Sequence, residues 1–201
     1  MDIQNLSPGG FAANCYLLTE GQDAVLIDCT VPMATLKAAL DLAGATLRAV
    51  LLTHGHFDHL LTLDEVKRAT GVPIYLGEGD ADLPGDGMKN ACTVFMGTEK
   101  AYPAADVLFA DHAELTFGEL CVVTMLTPGH TRGSSLFLCE DVAFTGDTIF
   151  KAGYGRYDLY GGDAKTLAAS LGKIGALPAS TTIYPGHGDK ARLGTALDHL
   201  F

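Results

Sequence analysis

The chain has 201 residues, of which 48% are hydrophobic and 18% are charged, and its formal net charge at pH 7 is −11. At roughly 150 residues per domain, this length excludes two full catalytic domains, and the hydrophobic content excludes a disordered chain. The acidic balance argues against a nucleic-acid partner, because an acidic surface repels a phosphate backbone.

The cysteines Cys15, Cys29, Cys92, Cys121 and Cys139 are odd in number and include no Cys-x-x-Cys pair. We therefore predict free thiols in a reducing compartment rather than a disulfide framework. No apolar run reaches the roughly 18 residues that span a bilayer, and the first residues lack the basic start of a secretory signal. The sequence predicts a cytoplasmic protein without a membrane partner, either a monomer or a small homo-oligomer.

Short apolar runs recur along the chain and have the lengths of β-strands. In chain order they are 16–18, 24–27, 49–52, 74–76, 121–126, 136–138, 142–145 and 182–184. Helices are predicted at 33–43, 60–70 and 165–175, the first two ended by a glycine and the third preceded by Asp163 as a candidate N-cap. Interleaved strands and helices predict a single α/β layered domain over residues 1–201.

The segment 77–106 loses clear periodicity, and several glycines interrupt it before a short helical piece at 88–96. A segment of this length without regular structure is often a lid or a binding loop. A variable surface excursion is the alternative interpretation.

Four potential metal ligands lie within six residues after the strand at 49–52, namely His54, His56, Asp58 and His59. On an extended stretch, His54 and His56 point to the same side, because they are two residues apart. Asp58 and His59 lie where the chain turns and can reach a second position. This spacing favours two adjacent metals over one, since burying these groups without a metal would be costly.

Two further histidines, His130 and His187, each follow an apolar strand and a Pro-Gly turn, and Asp147 also ends a strand next to a glycine. Singly, such residues are usually solvated turn residues. Together they place five of the seven histidines at three glycine-flanked strand ends, which favours a shared site. We expect the remaining two, His112 and His199, to be surface residues.

The pattern His-x-His-x-Asp-His, followed by a distant His, Asp and His, resembles the metal motif of the metallo-β-lactamase superfamily. The resemblance runs from about residue 14 to residue 187. It implies a four-layer αβ/βα sandwich with two divalent metal ions at one edge. One ion would be bound by His54, His56 and His130, the other by Asp58, His59 and His187, and Asp147 would bridge both. Zinc is expected, with iron and manganese as alternatives.

Within that superfamily, the segments 53–59, 127–131, 146–150 and 184–188 resemble the hydroxyacylglutathione hydrolase (glyoxalase II) branch. That branch has a carboxylate at the bridging position, whereas the β-lactamases usually carry Cys there, so β-lactam hydrolysis is not expected. The chain ends fourteen residues after His187 and does not match the helical extension that binds glutathione in full-length members. Glutathione specificity is therefore not presumed.

The resemblance also suggests residues that support the site. Arg156 matches a basic residue that contacts the thiol portion of the substrate, with Tyr157 and Lys151 on the same segment. Pairing of Arg156 with a nearby Asp is the alternative. Asp28 is expected to support a metal ligand from outside, since metal-bound histidines commonly need an outer carboxylate.

The expected activity is hydrolysis of small thioesters such as S-lactoylglutathione by a metal-bound hydroxide, with Asp58 and Asp147 beside it. The alternative is a persulfide dioxygenase on the same fold, which would use a single iron held by His54, His130 and Asp147. Relatives of that kind tend to carry Ala before the last histidine, where this chain has Gly186. A metal-binding module without catalysis is disfavoured, because no ligand position is missing.

Overall fold

The computed structural model describes residues 1–7 and 9–200. The first sheet has the strand order β1-β2-β3-β4-β5-β6 and the second the order β12-β11-β10-β9-β8-β7. The strands of the first sheet are β1 (Asp2–Asn5), β2 (Tyr16–Glu20), β3 (Asp23–Ile27), β4 (Thr46–Leu52), β5 (Ile74–Gly77) and β6 (Val107–Phe109). Those of the second sheet are β7 (Glu114–Phe117), β8 (Leu120–Leu126), β9 (Ser135–Cys139), β10 (Val142–Gly146), β11 (Thr182–Pro185) and β12 (Ala191–Arg192).

The helices cover the outer faces of the two sheets. They are α1 (Met33–Ala43), α2 (Leu63–Thr70), α3 (Cys92–Met96), α4 (Ala164–Ile174) and α5 (Leu193–Asp198). None of the helices in the described part of the chain combines the length and hydropathy that a membrane span requires.

Three hydrophobic clusters define four layers. Leu17 and Leu26 face the cluster formed with α1 and α2, whereas Leu18 and Val25, on the same two strands, face the second sheet. A third cluster joins the second sheet to α4 and α5. Because successive side chains of a strand point to opposite faces, strands buried on both faces read as continuous apolar runs. The predicted four-layer αβ/βα sandwich is confirmed.

Terminal glycines and an N-cap residue predicted most helix ends correctly. Gly44 and Gly71 end α1 and α2 with positive φ angles of 63° and 68°, a conformation that glycine adopts without strain. The side chain of Asp163 accepts a hydrogen bond from the backbone N–H of Thr166, which confirms the predicted N-cap of α4. The helix predicted from residue 60 instead begins at Leu63, because residues 57–59 form a 3₁₀ turn.

Five elements were not predicted from the sequence: β1, β6, β7, β12 and α5. All are short, and β1 and β12 lie at sheet edges where few residues are buried. The segment 77–106 contains a 3₁₀ turn at 78–80 and α3, and it buries Leu83, Asn90 and Tyr102. It is therefore packed against the domain, and its role as a lid or binding insertion stays a prediction.

Removing the ring of Phe137 should strongly destabilise the domain. This side chain is fully buried between the two sheets and its ring centroid lies 5.6 Å from that of Phe109. We expect Phe137→Ala to lower the free energy of unfolding of the metal-free protein by about 3–5 kcal/mol, measured by urea titration. The control Leu42→Ala, at a side chain that is 84% exposed, should change it by less than about 0.5 kcal/mol. Equal losses in the two variants would contradict an inter-sheet core.

Candidate metal centre

Each predicted ligand lies just beyond the end of a strand. Residues 54–59 follow β4 in the first sheet, whereas His130, Asp147 and His187 follow β8, β10 and β11 in the second. The structure brings all seven side chains together at one edge of the sandwich. His112 and His199, expected at the surface, are both exposed.

The first cluster consists of three buried imidazoles. Nε2 of His54 lies 3.1 Å from Nδ1 of His56 and 3.2 Å from Nε2 of His130, and the latter two nitrogens are 2.9 Å apart. A neutral imidazole has one N–H, so three nitrogens that converge in this way cannot all satisfy one another. A cation that accepts a lone pair from each nitrogen would satisfy all three.

The second cluster consists of Asp58, His59 and His187, and Asp147 lies between the two clusters. Nε2 of His187 is 3.2 Å from Oδ2 of Asp58. Oδ2 of Asp147 is 3.7 Å from Nε2 of His187 and 3.8 Å from Nε2 of His130, and Oδ1 of Asp147 is 3.4 Å from Nε2 of His59. Asp147 therefore faces both clusters, as a bridging carboxylate would.

Unpartnered polar atoms show that these residues fit divalent cations. Nε2 of His59 and Oδ1 of Asp147, which face the second cluster and the space between the clusters, are buried without a hydrogen-bond partner. Leaving such atoms unsatisfied in the interior costs free energy. The ligand atoms form three overlapping groups, and the atoms within each group lie within 4.8 Å of one another. Their nitrogen and carboxylate donors suit zinc, iron and manganese. The chain thus has the histidine and aspartate residues of a divalent metal site.

The charges of the site are arranged to favour a cation. Burial lowers the pKa of His54 well below the usual histidine value and that of His56 to about 3, so both rings are neutral and offer lone pairs. Burial acts in the same direction on His59, but the carboxylates of Asp28 and Asp147 outweigh it and hold its pKa well above the usual value. Burial raises the pKa of Asp147, yet the neighbouring His59 outweighs it and keeps this carboxyl ionised. A cation would therefore displace a proton on binding.

Asp28 holds His59 from outside the cluster. Its Oδ2 lies 2.7 Å from Nδ1 of His59, and Oδ1 accepts a hydrogen bond of 2.9 Å from the backbone N–H of Thr53. This contact turns Nε2 toward the second cluster and would keep a ring proton on Nδ1 when a cation binds at Nε2. His130 is oriented in the same way, because its Nδ1 lies 2.6 Å from the backbone carbonyl of Arg156.

Asp80 also organises the site, although its role was not predicted from the sequence. The side chain is fully buried. Oδ2 accepts hydrogen bonds from the backbone N–H of Gly55 at 3.0 Å and the hydroxyl of Thr131 at 2.7 Å, and Oδ1 accepts one from the N–H of Gly133 at 2.7 Å. Asp80 thus ties the loop that carries His54 and His56 to the loop that carries His130. Its position shortly after the end of β5, like that of the candidate ligands after other strands, is the sequence signal that could have identified it.

Close packing fixes the residue before His187. A Cβ at Gly186 would lie 2.2 Å from Oδ1 of Asp147 and 2.7 Å from Cε1 of His59. These distances are shorter than any ordinary contact, so alanine cannot replace this glycine without displacing Asp147. The Gly-His pair noted in the sequence is therefore a steric requirement of this site.

A cavity of about 290 Å³ opens at the two clusters. Its lining combines polar residues with an apolar majority, namely His56, Asp58, His130, Asp147 and Arg156 with Phe11, Phe57, Ala91, Phe95, Met96 and Leu159. A larger cavity of about 470 Å³ lies along α4 and α5. It has none of the seven candidate ligands in its lining, so we assign the site to the smaller cavity.

The three residues expected to bind substrate are placed differently from one another. Arg156 lines the cavity, and its guanidinium makes two hydrogen bonds, of 2.7 and 2.8 Å, to Asp158. Tyr157 lines the larger cavity along α4. Lys151 pairs with Asp189 at 3.1 Å and contributes to a depression beside β11. Pairing of Arg156 with a nearby Asp, the alternative given by the sequence, is thus observed.

Sequence comparison finds both general and specific relatives. The model of the metallo-beta-lactamase superfamily matches residues 8–187. The probable metallo-hydrolase YqgX of Bacillus subtilis is 32% identical over 98% of this chain and 95% of its own length. A hydroxyacylglutathione hydrolase of Anaeromyxobacter dehalogenans is 38% identical over 86% of this chain, but over only 60% of its own length.

Two solved structures align with nearly the whole chain. The B3 metallo-beta-lactamase BLEG-1 superposes with a TM-score of 0.92 at 32% identity, covering 98% of this chain and 97% of that one. TTHA1623 in a di-iron-bound form superposes with a TM-score of 0.84 at 32% identity, covering 100% of this chain and 98% of that one.

The names of these proteins differ in substrate and metal, so the comparisons do not confirm the glyoxalase II branch or zinc. The likeness to a B3 enzyme also means that β-lactams must stay among the substrates to be tested. What the proteins share is the fold and a hydrolase or metal-binding description. The family match over most of the chain, together with these structural likenesses, shows that the chain belongs to the metallo-β-lactamase superfamily.

Proposed function

We propose that this protein is a metal-dependent hydrolase whose substrates are small thioesters. The observation that carries the proposal is the pair of His/Asp clusters that face a common carboxylate, Asp147, next to a cavity with few proton donors. His54, His56 and His130 would hold one divalent cation, Asp58, His59 and His187 would hold the other, and Asp147 would contact both. Zinc is our first choice, with iron and manganese as alternatives.

When bound, two divalent cations would lower the pKa of a coordinated water and polarise the substrate carbonyl. The residues of the chain set the conditions for this chemistry. Asp58 faces the cavity, and although burial raises its pKa, the hydrogen bond from His187 outweighs burial and keeps the carboxyl ionised. Asp58 can therefore accept a proton near the reacting atoms.

The composition of the cavity wall supports a thioester rather than an amide. Apart from the candidate ligands, its lining consists of apolar residues and Arg156, so a protonated Asp58 is the one acid of the lining that could protonate a leaving group. A thiolate with a pKa near ~8.5 departs without a strong acid, whereas an amide nitrogen must be protonated to leave. This wall therefore suits thioesters better than β-lactams.

A second candidate function is persulfide oxidation by a single iron. It would need only His54, His130 and Asp147, and these also lie together, with the ring nitrogens 3.2 Å apart and His130 3.8 Å from Asp147. The second cluster and the steric requirement for Gly186 favour the hydrolase.

A substrate panel tests the proposal directly. We expect the metal-replete protein to release thiol from S-lactoylglutathione or another small thioester, to consume no oxygen with glutathione persulfide and to open β-lactams far more slowly. Chelation should abolish thiol release, and added zinc should restore it. Oxygen uptake without thiol release would instead support the iron enzyme, and full hydrolysis by protein shown to be free of metal would contradict the proposed mechanism.

The substitution Asp147→Asn tests the shared carboxylate. A neutral amide is a poor bridging ligand, so we expect the metal content to fall below two ions per chain and turnover to fall by several orders of magnitude. Metal analysis and thiol release measure the two effects. The matched control Asp41→Asn, at an exposed carboxylate on α1 that pairs with Lys37, should change neither. Two retained ions and normal turnover in Asp147→Asn would refute the shared site.

Arg156→Ala tests whether Arg156 binds the anionic part of a substrate. Asp158 engages two of its five N–H groups, so others can donate to a substrate at the cavity rim. We expect KM to rise about 2- to 5-fold for anionic thioesters and less for neutral ones, with metal content unchanged. Lys151→Ala, a cation outside the cavity lining, is the control. Equal losses on both substrate types with a lower Tm would identify Arg156 as a brace.

A further inference from the structure

Three phenylalanine rings form a continuous face of the cavity. The ring centroid of Phe57 lies 6.3 Å from that of Phe11 and 6.1 Å from that of Phe95, with 28° between the ring planes in both pairs. These values are those of offset-stacked rings. Phe57 is buried in the middle, whereas Phe11 and Phe95 are 61% and 51% exposed. Together with Met96, these residues form a surface that we call the aromatic wall.

The aromatic wall begins next to the candidate ligands. Phe57 stands between His56 and Asp58 in the chain, and all three line the cavity. A group attached within a few atoms of a carbonyl at the metal site would therefore contact these rings. Single exposed apolar side chains are common on protein surfaces, but contiguous ones that line a reactive cavity usually contact a ligand.

The wall is held in place by backbone contacts. The buried side chain of Asn90 donates hydrogen bonds to the backbone carbonyls of Pro84 and Lys100, and the backbone carbonyl of Asn90 accepts one from the N–H of Phe57. Ala91, the residue before α3, has a φ of 66°, a conformation that costs a non-glycine residue about 1 kcal/mol or more. These contacts hold the segment that leads into α3, the helix that carries Phe95, beside the cavity.

Apart from the candidate ligands, one polar side chain lies next to the wall, and part of its guanidinium is already engaged. Arg156 is the charged residue of the cavity lining that is not a candidate ligand; its guanidinium lies 5.3 Å from the ring centroid of Phe95 and is paired with Asp158. Polar substrate groups that lie against the rings, out of reach of the remaining N–H groups of Arg156, would lose water without gaining a hydrogen bond. Alkyl and aryl groups lose nothing there and bury apolar surface.

We propose that the aromatic wall selects thioesters that carry an alkyl or aryl group next to the scissile bond. This inference rests on the proposed thioester hydrolysis and specifies its substrate class. The apolar group could belong to the acyl or to the thiol side of the thioester, and the test separates these two sources. In either case the wall favours larger apolar groups over acetyl and lactoyl groups.

The first test compares neutral thioesters of increasing chain length. One series extends the acyl group of N-acetylcysteamine thioesters from acetyl to hexanoyl, and the other extends an alkyl thiol that carries a constant acetyl group. We expect kcat/KM of the metal-loaded protein to rise by up to about 4-fold per methylene in one of the two series. Phe95→Ala should remove most of this gain and Phe95→Leu should retain part of it. Val94→Ala, an exposed neighbour on α3 outside the cavity lining, should leave the gain unchanged.

The second test measures binding without chemistry. S-methyl, S-butyl and S-hexyl thioethers of N-acetylcysteamine are titrated into the metal-loaded protein by calorimetry. Binding that tightens with chain length, and that loses this dependence in Phe95→Ala but keeps it in Val94→Ala, supports the aromatic wall. This holds even if no thioester is cleaved, because absence of cleavage overturns only the proposed hydrolysis. Thioester cleavage with no dependence on chain length in either series or in the titration overturns the wall.

Discussion

The convergence of buried imidazole nitrogens and carboxylate oxygens at one edge of the sandwich is the constraint on which the rest of the site depends. Three ring nitrogens lie within 3.2 Å of one another, and further nitrogen and oxygen atoms nearby have no partner. Burying such polar atoms costs free energy unless their side chains are held in position and a cation binds them. The side chains are held in position by hydrogen bonds to Asp28 and Asp80, and the absence of a side chain at Gly186 leaves space for Asp147.

The cavity next to the candidate ligands has one polar side and one apolar side. One side offers charge and lone pairs, and the other offers the rings of Phe11, Phe57 and Phe95. A substrate with a polar reacting bond and an apolar neighbour would match both sides at once. The overall charge of −11 does not oppose such a substrate when it is neutral, whereas an anionic one must rely on a local cation such as Arg156.

The central strands and the ligand set could be predicted from the sequence because their signals are local. Strands β3 and β4 are buried on both faces and read as apolar runs, and four of the seven candidate ligands lie in one segment of six residues. The edge strand β1 (Asp2–Asn5) is mostly exposed, so burial left no pattern in its residues.

The hydrogen bonds that support the site could not be predicted from the sequence, for a different reason. Asp80 joins Gly55 to Thr131 and Gly133, and two of its three donors are backbone N–H groups, which leave no trace in residue identity. The aromatic wall combines residues from three distant segments. Of these residues, only Phe57 could be placed at the site from the sequence, because it lies within the ligand motif.

Each candidate ligand cluster takes residues from both sheets. His54 and His56 come from the first sheet and His130 from the second, and the other cluster is divided in the same way between residues 58–59 and His187. A bound cation would therefore act as a cross-link between the two halves of the sandwich. Loss of the cofactor and separation of the sheets then become linked equilibria, so the supply of metal in the cell would govern how long the folded protein persists as well as whether it is active.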